Sequence, residues 1–159
     1  MLLEELTEYK KKLAELFNKS DEIKKLLIID DKNNNLMYKQ IYPYAYVPDI
    51  QTKANIYLCF DVEVPRTSPI SNIIKDVSVR VYIITHETLM LTNDGLRNDL
   101  LANKVDKILN ANRDFGMGLG LISVKSFNNI EKHYGVELYY ETIEFNNPKE
   151  IVKYKASKT

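Results

Sequence analysis

The side chains with the plainest chemical potential are carboxylates: Asp49 after Pro48, then Asp61 and Glu63 two residues apart, with Lys75 further along. On an extended strand, residues i and i+2 share a face, so Asp61 and Glu63 project together. With Asp49 they could hold Mg²⁺ while Lys75 supports an attacking water. Those are the parts of a divergent Mg²⁺-dependent nuclease. Yet a glutamate stands where such a site carries a lysine one residue past its acid, and charges at i and i+2 are what the solvent face of any half-buried strand displays. The strand-face reading is preferred, with the nuclease as the alternative.

The remaining candidates are thinner. Gly116, Gly118 and Gly120 in GMGLG resemble a phosphate cradle in composition, but such glycines lie between a strand and a following helix, whose N-terminus faces the anion. Here they follow a helical pattern and precede a strand, so they read as a helix stop and turn. His86 and His133 fall in separate connections, without acidic or cysteine neighbours at ligand spacing. Cys59 is the only cysteine; it alternates onto the face of Tyr57 and Asp61, predicting partial exposure, and nothing near it in sequence lowers its pKa. No nucleophile elbow is present. The reading is therefore of a non-enzyme with no catalytic residue, metal or cofactor.

The elements that position these residues follow from apolar periodicity. Leu3, Leu6, Leu13, Leu16 and Phe17 make one stripe of a helix over 3–18, and Ser20 and Asp21 can cap a short helix over 22–27. Residues 30–35, DDKNNN, read as a turn. An irregular stretch follows in which Tyr42, Tyr44 and Tyr46 alternate as in an edge strand, interrupted by Pro43 and Pro48. Residues 55–64 alternate cleanly, with Ile56, Leu58, Phe60, Val62 and Val64 on one side. After the loop 65–76, residues 77–84 alternate again, which predicts a long antiparallel hairpin whose far end projects. Asn93 or Asp94 can cap a helix over 95–111 with a stripe of Leu96, Leu100, Leu101, Val105, Ile108 and Leu109. Strands over 119–127 and 136–145 close the chain. The stretch 76–127, in which the period changes from 2 to 3.6 and back, is the organising unit.

The fold class is thus α+β: an N-terminal helix, a long antiparallel β-hairpin, one helix packed on a mostly antiparallel sheet, and two closing strands. Residues 1–147 form a single domain and 148–159 a polar C-terminal tail. The chain has 159 residues, 45% hydrophobic and 28% charged, with 22 basic against 22 acidic side chains. These values suit a globular domain and leave no broad field for nucleic acid or an anionic membrane. The first residues carry acids where a signal peptide carries bases, and no apolar run approaches the ~20 residues needed to cross a bilayer. A reducing, cytoplasmic setting and no membrane are expected.

Surface for assembly is what remains. The loop after Pro65 and Arg66 carries Ile70, Ile73 and Ile74 where a core is hard to reach, and Tyr42, Tyr44 and Tyr46 have strand character without an obvious partner. Exposed apolar loops and free edges are liabilities unless a partner covers them.

The runs VEVPRTSPISNIIKDVSVRVYIITHETLM, GLRNDLLANKVDKILNANRDFGMGLGLISVKSF and YGVELYYETIEFN resemble the tail-terminator and neck proteins of long-tailed bacteriophages. The likeness extends over roughly residues 1–147 and rests on the order of elements and a few phrases. It implies a structural virion protein without catalysis, forming a ring, expected to be a hexamer. Such a ring caps the tail tube and joins it to the head connector or collar, with a sheath protein as a further neighbour and DNA met only in the lumen. The resemblance further implies assembly in a bacterial host's cytoplasm into the virion tail or neck. Other neck roles, stopper or head completion, are the nearest alternatives.

Overall fold

The structure, a computed structural model, describes residues 4–27, 35–48, 53–67 and 74–145, with backbone alone at 4, 65–67 and 145. Helix α1 (Glu4–Lys19) buries Tyr9, Leu13 and Phe17, and the short α2 (Asp21–Leu27) buries Ile23 and Leu27. Ser20 caps α2: its Oγ accepts from the Ile23 N–H at 3.3 Å, and Asp21 and Glu22 oppose the positive end of the helix dipole.

Among the described residues, six further strands and an α-helix follow the two-residue strand β1 (Ile41–Tyr42). They are β2 (Ile56–Thr67), β3 (Ile74–His86), a hairpin of β4 (Leu91–Thr92) and β5 (Gly95–Leu96), α3 (Arg97–Leu109), β6 (Gly120–Phe127) and β7 (His133–Phe145). The main sheet has the order β1-β2-β3-β7-β6. Among the described strands of this sheet β1/β2 pair in parallel, and β2/β3, β3/β7 and β7/β6 are antiparallel. This is the expected α+β architecture, with a hairpin of 12- and 13-residue strands. The placement of β7 between β3 and β6 was not legible, because both candidate neighbours alternate equally well.

Helices cover one face of the sheet. Phe60 of β2 meets Phe17 edge-on at 5.6 Å, and Tyr9 lies 5.2 Å from Phe115, so α1 is fastened by aromatic pairs as well as by area. Leu101, Val105 and Leu109 make the buried stripe of α3. Polar ties fix its angle. Thr85 Oγ1 donates to Asn98 Oδ1 (2.6 Å), Asn98 Nδ2 donates to the Tyr134 carbonyl (3.1 Å), and Tyr140 OH donates to Asp106 (2.9 Å). Arg97 donates to the carbonyls of Leu89 and Leu26 at 2.8 and 2.7 Å, linking the start of α3 to the last turn of α2. That turn's carbonyls lack helical partners, so the guanidinium satisfies one of them.

Three expectations near α3 need correction. Asn93 and Asp94 do not cap it; they form the turn of the β4/β5 hairpin, where Thr92 Oγ1 donates to the Gly95 carbonyl and accepts from the Asp94 N–H. The helix starts at Arg97, after Leu96, with no side-chain cap. Nor do the glycines stop the helix. Its end is made by Asn110 and Ala111, the latter at φ 63°, with the Ala111 N–H donating to the Leu119 carbonyl at 2.7 Å. Gly116 instead brings the turn onto β7: at φ 54°, any Cβ there would stand 2.5 Å from the Ile143 carbonyl oxygen. The neighbouring Phe115 is wholly buried in the main core.

Candidate assembly surface

Alternation on β2, β3 and β7 gives the sheet a second, outer face. On it Tyr57 and Cys59 of β2 join Tyr42 and Ile84 in a small second core, against which Tyr46, Tyr82, Phe127 and Ile130 pack. The tyrosine-rich stretch is therefore folded onto the sheet. Tyr42 stacks on Tyr46 with centroids 4.2 Å apart and planes 4° apart, and Tyr44 meets Tyr42 edge-on at 5.6 Å. The three tyrosines differ in role: Tyr42 is buried, Tyr46 half-buried, and Tyr44 47% exposed. Burial pushes the Tyr42 phenol up to about 12, with the surrounding phenols adding to the effect.

Gln40 holds this stretch in place. Its amide donates to the Leu27 and Ile56 carbonyls (2.5 and 3.2 Å) and to Asn55 Oδ1 (3.0 Å), joining the end of α2, the approach to β1 and the start of β2. No sequence signal points to this clamp, since glutamine lacks a characteristic spacing.

Cys59 is fully buried, not partly exposed as its strand face suggested, because the tyrosine cluster covers it. Burial raises its thiol to about 11. Native protein at neutral pH is thus expected to resist maleimide, whereas denatured protein reacts at once; rapid native labelling would contradict this packing. Folding favours the protonated forms of Cys59 and Tyr42, so their support is complete below the unfolded values and fades as pH rises through the folded ones. Melting temperature should decline between pH 9 and 12.

The carboxylate set does not converge. Asp61 forms an ion pair with Lys10 (3.0 Å), and Glu63 stands 4.0 Å from Arg80 Nε. Lys75 is buried on the opposite, helix-covered side of the sheet, so it cannot serve a water held by Asp61 and Glu63. Asp49 lies outside the described residues. Among the described residues, no group of three histidine, cysteine or acidic side chains is placed to hold a metal. His86 and His133 do meet, contrary to expectation: they are cross-strand partners of β3 and β7, with ring centroids 5.1 Å apart. Each is already engaged, His86 Nδ1 accepting from the Thr88 N–H and His133 Nδ1 donating to the Glu131 carbonyl.

Of the residues singled out for assembly, Ile70 and Ile73 lie outside the described residues, and Pro65 and Arg66 are described as backbone of β2. Ile74 opens β3, opposite Phe145, with Ile143 (44% exposed) nearby on β7. The central strip of the outer face is polar. Arg80 donates to Glu137 (2.9 Å) and lies 4.8 Å over the Tyr139 ring, whose hydroxyl donates to Glu141 (2.7 Å). Beside it, a groove of about 330 Å³ is bounded by Tyr46, Val47, Tyr82, Ile84, Phe127 and Ile130.

The strand expected over 119–127 forms as β6, but its edge position was not legible; there Ile122 is 58% and Val124 55% exposed. Alternation alone does not say whether a strand is central or at the border; as the last strand of the sheet β6 has one neighbour among the described residues.

The fold and surface define a class: an α+β domain with one helix-covered face, a second face part aromatic and part polar, and an open apolar edge. Within that class the chain belongs to the YomW family, whose profile matches residues 11–142. A chain in the virion of a native gene transfer agent particle shares the fold. Its TM-score is 0.56 at 12% identity, over 86% of this chain and 93% of that one. No curated protein matches. Among the described residues, no helix is long and apolar enough to cross a membrane.

Proposed function

We propose that the protein is a structural component of a phage-type virion: a tail-terminator ring, hexameric, that caps the tail tube and presents a surface to the head connector or collar. The observation carrying this reading is the fold shared, over nearly the full length of both chains, with a component of a gene transfer agent virion. Exposed apolar residues along β6 and beside β7 are in keeping with a protein that works inside an assembly. The role is non-enzymatic, and the placement of Lys75 on the face opposite Asp61 and Glu63 supports that over the nuclease. Its partners are further copies of itself, the tail-tube protein and the connector, with a sheath protein adjacent and DNA passing through the lumen. The virion is its final location, after assembly in the host cytoplasm.

The test is tube growth. Purified protein added to polymerising tail-tube subunits should stop elongation and appear at one end of each tube. Tubes that grow unaffected, with no protein bound at either end, would remove the terminator role.

A further inference from the structure

Among the described residues, the two borders of the main sheet lack a further strand over matching lengths. On the β1 side, β1 reaches β2 only at Leu58 and Cys59, so 60–67 of β2 has no second strand among the described residues, the Val62 N–H being held by Asp61 Oδ1 (2.9 Å), a bond that an added strand would replace. On the other side, β6 (Gly120–Phe127) pairs with β7 alone among the described residues. Unpaired N–H and C=O groups along an edge template the addition of another strand. Strand direction sets how copies can join: β2 and β7 run one way, β3 and β6 the other. A rotation about an axis roughly along the strands preserves these directions, so it brings β6 of one copy antiparallel to β2 of the next. Two different edges on opposite sides make a head-to-tail contact, the kind that closes into a ring.

We propose that each copy adds β6 to the free stretch of β2 in its neighbour, so that one continuous antiparallel sheet holds the ring together. This rests on the ring reading above.

Face and charge select the register. Lys125 pairs with Glu137 and so lies on the outer face, while Val124 pairs with Leu138 and lies on the helix side. On β2, Glu63 opposite Ser78 is outer and Val62 opposite Val79 is inner. Like faces must meet, since a one-residue slip would put apolar side chains against charged ones. Asp61 already has Lys10, whereas the Glu63 side chain is 50% exposed and only 4.0 Å from Arg80. Lys125 therefore stands opposite Glu63, and Val124 covers the partly buried Val64. The bulge between Glu63 and Arg66, together with Pro65, which has no N–H to donate, ends the ladder there. The pairing spans 61–64 of one copy and 124–127 of the other.

The full chain is measured by light scattering over a dilution series, as wild type, Lys125→Glu, Glu63→Lys and the charge-swapped double variant. Each single reversal places like charges opposite one another at every interface and should raise the dissociation constant by about tenfold or more; the double variant should recover most of the loss. A Val64→Cys, Val124→Cys chain should form a ladder of disulfide-linked oligomers, while either single cysteine variant should not. Unchanged melting temperatures verify that the substitutions leave the fold intact. If rings form but ignore both reversals and the cysteine pair gives no ladder, this edge pairing is overturned while the ring reading stands. If wild type stays monomeric both alone and with tail-tube protein present, both fall.

Discussion

Gly116→Ala is expected to lower stability by about 2–4 kcal/mol, combining the cost of a left-handed backbone for an L-residue with forced overpacking. The clash cannot be relieved by a side-chain rotation, because the methyl would lie 2.5 Å from the Ile143 carbonyl oxygen and 2.8 Å from Thr142 Oγ1. Movement of the turn would also break the bond from the Met117 N–H to the Ile143 carbonyl (3.1 Å) and disturb Phe115, whose carbonyl accepts from Thr142 Oγ1 at 3.2 Å. Gly118→Ala tests the assignment by contrast. At φ 110° it is strained, but its nearest neighbour is 3.8 Å away, so the loss should be smaller. Urea unfolding of the two variants checks this, and equal losses would show that backbone strain, not contact with β7, governs the turn.

The second large effect is at Tyr42. Tyr42→Ala should cost about 3 kcal/mol, the usual scale for deleting a buried aromatic, since it removes the ring stacked on Tyr46 and opens the cover of Cys59. Tyr44→Ala, at a ring 47% exposed, should stay within about 0.5 kcal/mol. Thermal unfolding gives the stabilities and maleimide labelling of Cys59 reports the cover directly, so Tyr42→Ala should both melt early and label quickly. A stable, unlabelled Tyr42→Ala protein would mean that the aromatic cluster is not what closes the outer face.

Much of the scaffold was written in local periodicity. Ile56, Leu58, Phe60 and Val62 announced a strand buried on one side, and Leu101, Val105 and Leu109 a helix laid on it. What escaped was set by distant neighbours. Cys59 and Tyr57 sit on a face that alternation marks as solvent, and the return of residues 42–46 over β2, with Ile84, Phe127 and Ile130 beside it, buries them. Asn93 and Asp94 have cap chemistry, but the following Gly95, at φ 131°, and the Thr92 hydroxyl favour a hairpin turn. His86 and His133 are far apart in the chain and meet because β7 enters the sheet beside β3. In the same way, the strand over 119–127 is legible in its alternation, and only the strand order makes Ile122 and Val124 an exposed edge.

The candidate surface was legible in kind and not in place. Apolar residues without an evident core pointed to assembly, and the structure adds exposed Ile122 and Val124 on a border that no other described strand covers. The carboxylates chosen for a metal were a strand face: one is paired with Lys10, one lies beside Arg80, and their supposed lysine faces the other side.

The mass of the full chain in solution, followed by light scattering from dilute to concentrated samples, tests the central claim most directly. The ring predicts a species near six times the 18.5 kDa chain mass that persists on moderate dilution. A particle of 18.5 kDa at every concentration, alone and with tail-tube protein present, would contradict it.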